Sequence, residues 1–142
     1  MQIFNTAQDA ALTLRPDQPV YCFRPRVLAE DAAGFQAMFP GKTAYAVKTN
    51  GEPMVVEAMV KAGVKAFDVA SPAEIETVRQ FSKTAELLYM HPVKAQSDIR
   101  FALETHAIRT FAVDHEDEIT KLHKIVQGLD IDPAAITVFV RI

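Results

Sequence analysis

The sequence predicts an α/β fold built on a parallel sheet or barrel, and three observations carry that reading. From Pro19 onward, short apolar runs alternate with longer amphipathic segments. The runs recur at roughly the 20 to 30 residues expected of a strand-helix unit. Helix start and stop signals fall in the segments between them, where the alternation requires helices.

Taken in order, the stretch before Pro19 is irregular, rich in Asp, Gln, Thr and Pro, and unlike a barrel repeat. The first apolar run, "PVYCF" (Pro19 to Phe23), reads as a strand that pairs with something outside this part of the fold. "TAYAVK" (Thr43 to Lys48) has the aromatic and β-branched content of a buried strand, and Asn50-Gly51 is the turn signal that ends it. "EPMVVEAMVKAG" reads as a helix, with Pro53 near its start, Val55, Val56, Met59 and Val60 at helical spacing, and Gly63 as its stop. "AFDVA" (Ala66 to Ala70) is the next strand. In "SPAE", Ser71 is the N-cap, Pro72 the first helical residue and Glu74 the capping-box acid of a helix whose core face includes Ile75 and Val78. "ELLYM" (Glu86 to Met90), "RTFAV" (Arg109 to Val113) and "ITVFVRI" (Ile136 to Ile142) complete the strands. Asp114 reads as the N-cap of a helix over "HEDEITKLHKIV", whose first turn is acidic, as the helix dipole favours. Five barrel-type strands are too few to close an eight-stranded barrel, and the last runs to the C-terminus without a following helix.

A chain of 142 residues that is 49% apolar is large enough for one core. Its formal charge of −3 is spread along the chain without a basic block, which argues against a nucleic-acid surface and leaves small molecules or other protein chains as partners. Cys22 is the only cysteine, so no intramolecular disulfide forms. The first residues lack the layout of a secretory signal, and no apolar run reaches the length of a membrane span. The expected location is the cytoplasm.

Lys48 is the first candidate for chemistry. Ligand sites of α/β folds lie at the carboxyl ends of the strands, and a lysine there is either a solvated charge or a nucleophile that attacks an aldehyde. Asp68, inside an apolar run, needs a partner or a task, either an inward ion pair or the orientation of a site group. The capping box accounts for Glu74. Arg141 repeats the apolar-then-basic pattern of Lys48, and its fork of donors suits a carboxylate or phenolate oxygen. His91, before Pro92, stands at the end of the third barrel strand, where it can face a ligand. His106, His115 and His123 fall on or beside helices, and their spacing does not fit a zinc site. No phosphate-loop fingerprint is present.

The ordered series "YAVKTN", "FDVASPAEI", "LLYMHPVK", "TFAVDHEDEI" and "VFVRI" resembles the fold-type III pyridoxal-phosphate-dependent decarboxylases, from about Val20 to the last residue. The ornithine and lysine enzymes, ornithine decarboxylase foremost, are the nearest in pattern. The resemblance implies the first half of an alanine racemase-like TIM (β/α)8 barrel over residues 26–142. Residues 1–25 are then an N-terminal segment contributing a strand to a second, β domain. It further implies that Lys48 holds pyridoxal 5'-phosphate through an imine, that Asp68 and Glu74 lie in the shell around the cofactor, and that Arg141 lies near the imine and phenolic oxygen. His91-Pro92-Val93-Lys94 replaces an Asn-Pro-x-Lys stretch common in the ornithine enzymes. The stretch after Lys48 lacks the Tyr-Gly-His type continuation of alanine racemases.

The implied activity is decarboxylation of a basic amino acid, most simply ornithine or lysine, by a homodimer with shared active sites. Diaminopimelate or carboxynorspermidine decarboxylation, and a non-catalytic regulator of the same fold, are the alternatives. The groups expected for the phosphate, the pyridine nitrogen and the distal end of the substrate, with a catalytic cysteine that is not Cys22, belong beyond residue 142. This chain alone is therefore expected to be inactive.

Overall fold

The computed structural model describes residues 2–142. Its elements are α1 (Ala7–Leu14), α2 (Pro25–Met38), β1 (Tyr45–Ala46), a 3-10 turn (Val47–Thr49), α3 (Pro53–Lys61), β2 (Ala66–Val69), α4 (Pro72–Phe81), β3 (Glu86–Tyr89), α5 (Gln96–His106), β4 (Thr110–Val113), α6 (Glu116–Gly128), a second 3-10 turn (Pro133–Ala135) and β5 (Thr137–Val140). The strands form one five-stranded sheet in the order β1-β2-β3-β4-β5, with every neighbouring pair parallel. Sequential order with a helical connection between parallel neighbours is the construction of a (β/α)8 barrel wall, and the sheet is a part of one. No helix among the described residues is long and apolar enough to cross a membrane.

The local signals explain most boundaries. Ser71 caps α4, its Oγ accepting from the Glu74 N–H at 3.3 Å. Gly63 ends the α3 unit with φ +84°, in the left-handed region that glycine occupies without strain. The cap of α6 is His115 rather than Asp114: the imidazole Nδ1 accepts from the Asp117 N–H at 3.2 Å and does the work expected of a carboxylate.

Two other expectations are corrected. The stretch before Pro19 contains α1, whose N-cap Thr6 accepts from the Asp9 N–H at 3.0 Å, a capping signal set within an otherwise irregular composition. Pro19 to Phe23, expected to pair outside this part of the fold, pairs with no strand among the described residues, and Tyr21 is fully exposed. The strand expected over Thr43 to Lys48 pairs only at Tyr45 and Ala46 before the chain tightens into the 3-10 turn that carries Lys48.

The pleat divides each strand between two environments. Phe67, Val69, Leu87, Tyr89, Phe111 and Val113 are buried on one side of β2, β3 and β4, in the core shared with helix residues such as Val56, Ile75, Ile99 and Leu122. Burying side chains of this kind stabilises a fold by about 1.5–3 kcal/mol each. The alternate row runs through the register Asp68, Leu88, Thr110 and Thr137 and faces away from those buried side chains. It forms the inner surface of the barrel wall. β5 lacks a helix over it, and Val138, Phe139 and Val140 are 40%, 52% and 64% exposed.

Phe67, fully buried and edge-on to Tyr45 at a centroid separation of 6.2 Å, anchors the centre of this core. Phe67→Ala is expected to lower stability by about 3–5 kcal/mol, measured by equilibrium urea unfolding. The open β5 edge predicts concentration-dependent self-association, which Val140→Lys should reduce in sedimentation velocity.

Candidate active site

Lys48 owes its position to its neighbour. Val47 is fully buried and pins the 3-10 turn against the core, so the next residue emerges into solvent. The Tyr45 hydroxyl donates to the Asn50 carbonyl at 3.0 Å across the turn, and Asn50 Oδ1 accepts from the Glu52 N–H at 3.2 Å. Burial holds the Tyr45 hydroxyl above its ordinary pKa, against the smaller opposing effect of the Asn50 contact, so it remains a donor. These bonds hold the whole excursion from β1 to α3, leaving an exposed primary amine on a fixed backbone.

Asp68 lies on β2, in register with Ala46 of β1, and is half-buried on the inner surface. Desolvation raises its carboxyl pKa, while the charges of Lys48 and Arg141 oppose that shift. Arg141 follows β5, and its N–H donates to the Val113 carbonyl at 2.8 Å, which continues the ladder one step past the strand. Three charged groups from three separate strand-helix units thus share one field at the carboxyl edge of the sheet. No ion pair among the described residues engages any of them. A primary amine, a carboxylate and a guanidinium at a strand-end edge suit an anionic aldehyde cofactor: the amine to bond the carbonyl carbon, the guanidinium to receive an anionic oxygen and the carboxylate to balance the cations.

Glu74 is placed differently. Its Oε2 accepts from the Ala70 N–H at 2.8 Å, one residue before the position a simple capping box reaches, and joins the end of β2 to the start of α4. The carboxylate is at the same edge but committed to the backbone. His91 is exposed in the loop after β3, and its carbonyl accepts from Lys94 Nζ at 2.9 Å. The structure therefore brings Lys48, Asp68 and Arg141 together electrostatically, sets Glu74 at the β2 end as a structural brace, and leaves the His91 side chain in solvent.

Two groups at this edge are not among the candidates for chemistry, although Lys94 ends the His91-Pro92-Val93-Lys94 stretch. Lys94, in the loop after β3, is 3% exposed. Tyr89, 1% exposed, has its phenol pushed up to about 12 by burial and by the charges of Asp98 and Glu74, and so stays protonated.

Residues 27–142 match the family model described as the pyridoxal-dependent decarboxylase, pyridoxal binding domain. Among solved structures, the arginine decarboxylase of Paramecium bursaria Chlorella virus is 28% identical, with a TM-score of 0.64 over 71% of this chain and 28% of its own. The lysine decarboxylase of Selenomonas ruminantium is 26% identical, with a TM-score of 0.72 over 100% of this chain and 37% of its own. The lysine/ornithine decarboxylase of Vibrio vulnificus, solved with cadaverine, is 23% identical and shares the fold with a TM-score of 0.76, over 96% of this chain and 37% of its own. The chain thus spans about a third of the length of these relatives. No curated protein matches it.

The raised Asp68 pKa gives a prediction of defined sign. Above the ordinary value of 3.8 and up to its higher folded pKa, the folded chain holds more proton than the unfolded one, so ionising Asp68 erodes stability as pH rises. Asp68→Asn should remove this component, and the urea midpoint of the variant should fall less than that of the wild type across that window.

Proposed function

The chain belongs to the pyridoxal-dependent decarboxylase family, whose pyridoxal-binding domain it matches over residues 27–142, and we propose that it serves the decarboxylation of a basic amino acid, with ornithine or lysine as substrate. The observation that carries this reading is the match to the pyridoxal-binding domain over residues 27–142, supported by the placement of Lys48, Asp68 and Arg141 at or next to the carboxyl ends of β1, β2 and β5.

In this reading Lys48 is the covalent attachment point for pyridoxal 5'-phosphate. Its backbone is fixed by buried Val47 and by the Tyr45 and Asn50 bonds, so the amine is presented with little conformational search. Pyridoxal 5'-phosphate held there would supply the electron sink that decarboxylation needs. Asp68 balances the positive charge of Lys48 and Arg141, and Arg141 offers donors to an anionic oxygen. Glu74 belongs to the cofactor shell through the β2-α4 junction that it braces. His91 borders the site from the loop after β3.

Residues 26–142 act as the first half of the cofactor barrel, and residues 1–25 contribute a strand to a second, β domain. The full protein works as a cytoplasmic homodimer with shared active sites and forms a diamine that feeds polyamine synthesis. Product analysis separates putrescine from cadaverine and identifies the substrate.

The test is an absorbance spectrum with pyridoxal 5'-phosphate before and after borohydride, followed by peptide mapping. A single reduced adduct on Lys48, lost in Lys48→Ala together with the imine absorbance, is expected. An unchanged spectrum in that variant, or labelling scattered over many lysines, would overturn the assignment.

A further inference from the structure

A lysine is almost never fully buried unless every donor is satisfied. The Lys94 ammonium has three N–H donors and no acceptor, and the structure uses all three. They go to the carbonyls of His91 at 2.9 Å, Pro92 at 2.8 Å and Ala112 at 2.6 Å. The first two belong to the loop after β3 and the third to β4, so one charged group bolts two adjacent strand ends together on the edge where Lys48, Asp68 and Arg141 converge.

Lys94 is itself held from behind. Its N–H donates to Glu118 Oε2 at 3.4 Å, its carbonyl accepts from Lys121 Nζ at 2.6 Å, and Lys121 also pairs with Glu118. Glu118 is 8% exposed and supplies a nearby compensating charge, while the Tyr89 ring centroid lies 5.9 Å from Nζ. The first two turns of α6 therefore support the clamp. Residue 91 is restricted twice, by its clamped carbonyl and by the proline ring that follows it.

We propose that Lys94 is a positioning residue that, through the carbonyls of His91, Pro92 and Ala112, fixes the loop backbone from which His91 projects at the carboxyl edge of the sheet, beside the proposed cofactor site. This rests on the cofactor reading above. A bond made only for stability would leave His91 irrelevant to the effect of losing Lys94, whereas a clamp acting through His91 makes the two residues one unit.

The experiment is a double-mutant cycle on pyridoxal 5'-phosphate affinity in the full-length protein, with hydrogen exchange of the peptide covering residues 90–95 and borohydride mapping of the wild type. Lys94→Met should weaken affinity on the order of tenfold and speed exchange of the peptide. His91→Ala should weaken affinity comparably, and the double variant should be no weaker than His91→Ala alone. Additive losses, an unchanged affinity in Lys94→Met, or an effect of Lys94→Met where His91→Ala has none would overturn the proposal. Should Lys94→Met not fold, the cycle is run with Lys94→Arg, which keeps the charge but not the three-way geometry. Failure of both to fold would make Lys94 a purely structural residue and also overturn it. Absence of a Lys48 adduct in the wild type sinks the cofactor reading instead, so the two failures are distinguishable.

Discussion

Phe67, Leu87, Tyr89 and Phe111 stand on one face of adjacent parallel strands, and their removal from water decides which side of the sheet the helices cover. With a side-chain period of two, that decision also assigns the opposite face: once Phe67 is buried, Asp68 must look inward. A one-residue slip of β2 would bury a carboxylate under the helices and expose two large apolar side chains. The register that protects the core is thus the register that delivers Asp68 to the inner surface.

The carboxyl edge presents a second constraint. Backbone N–H and C=O groups at strand ends lose their ladder partners and must find others. The chain meets this need with polar side chains: Glu74 takes the Ala70 N–H, Lys94 takes three carbonyls, and Tyr45 with Asn50 closes the turn after β1. These groups are consumed in holding the edge rigid. Lys48, Asp68 and Arg141 take part in no ion pair among the described residues. Committed polar groups around uncommitted ones is the arrangement preorganisation requires, because the scaffold then yields little when charge enters.

The two ends of the sheet differ in what covers them. α3 to α6 bury β2 to β4, whereas β5 exposes both its apolar row and its edge. Arg141, one step beyond that strand, is tied back by a single ladder bond to Val113. The site thus combines a well-packed side, from Lys48 and Asp68 to the Lys94 clamp, with a less supported side at Arg141.

Much of this was legible in the residues themselves. Apolar period and turn chemistry mark β2 to β5 to within a residue or two, "SPAE" places the start of α4, and the ordered motif series points to the family and to Lys48, Asp68 and Arg141 as residues of interest. These signals are local: a capping hydroxyl, an apolar run and a terminal base depend on neighbours within a few positions. Tertiary structure decided what depends on distant partners. Pro19 to Phe23 has strand composition but pairs with no strand among the described residues, and β1 shortens because Val47 is drawn into the core by a turn. Lys94 is written as an ordinary loop lysine, yet it is buried because Ala112 and Glu118, 18 and 24 residues away, supply a carbonyl and a charge that only folding brings beside it.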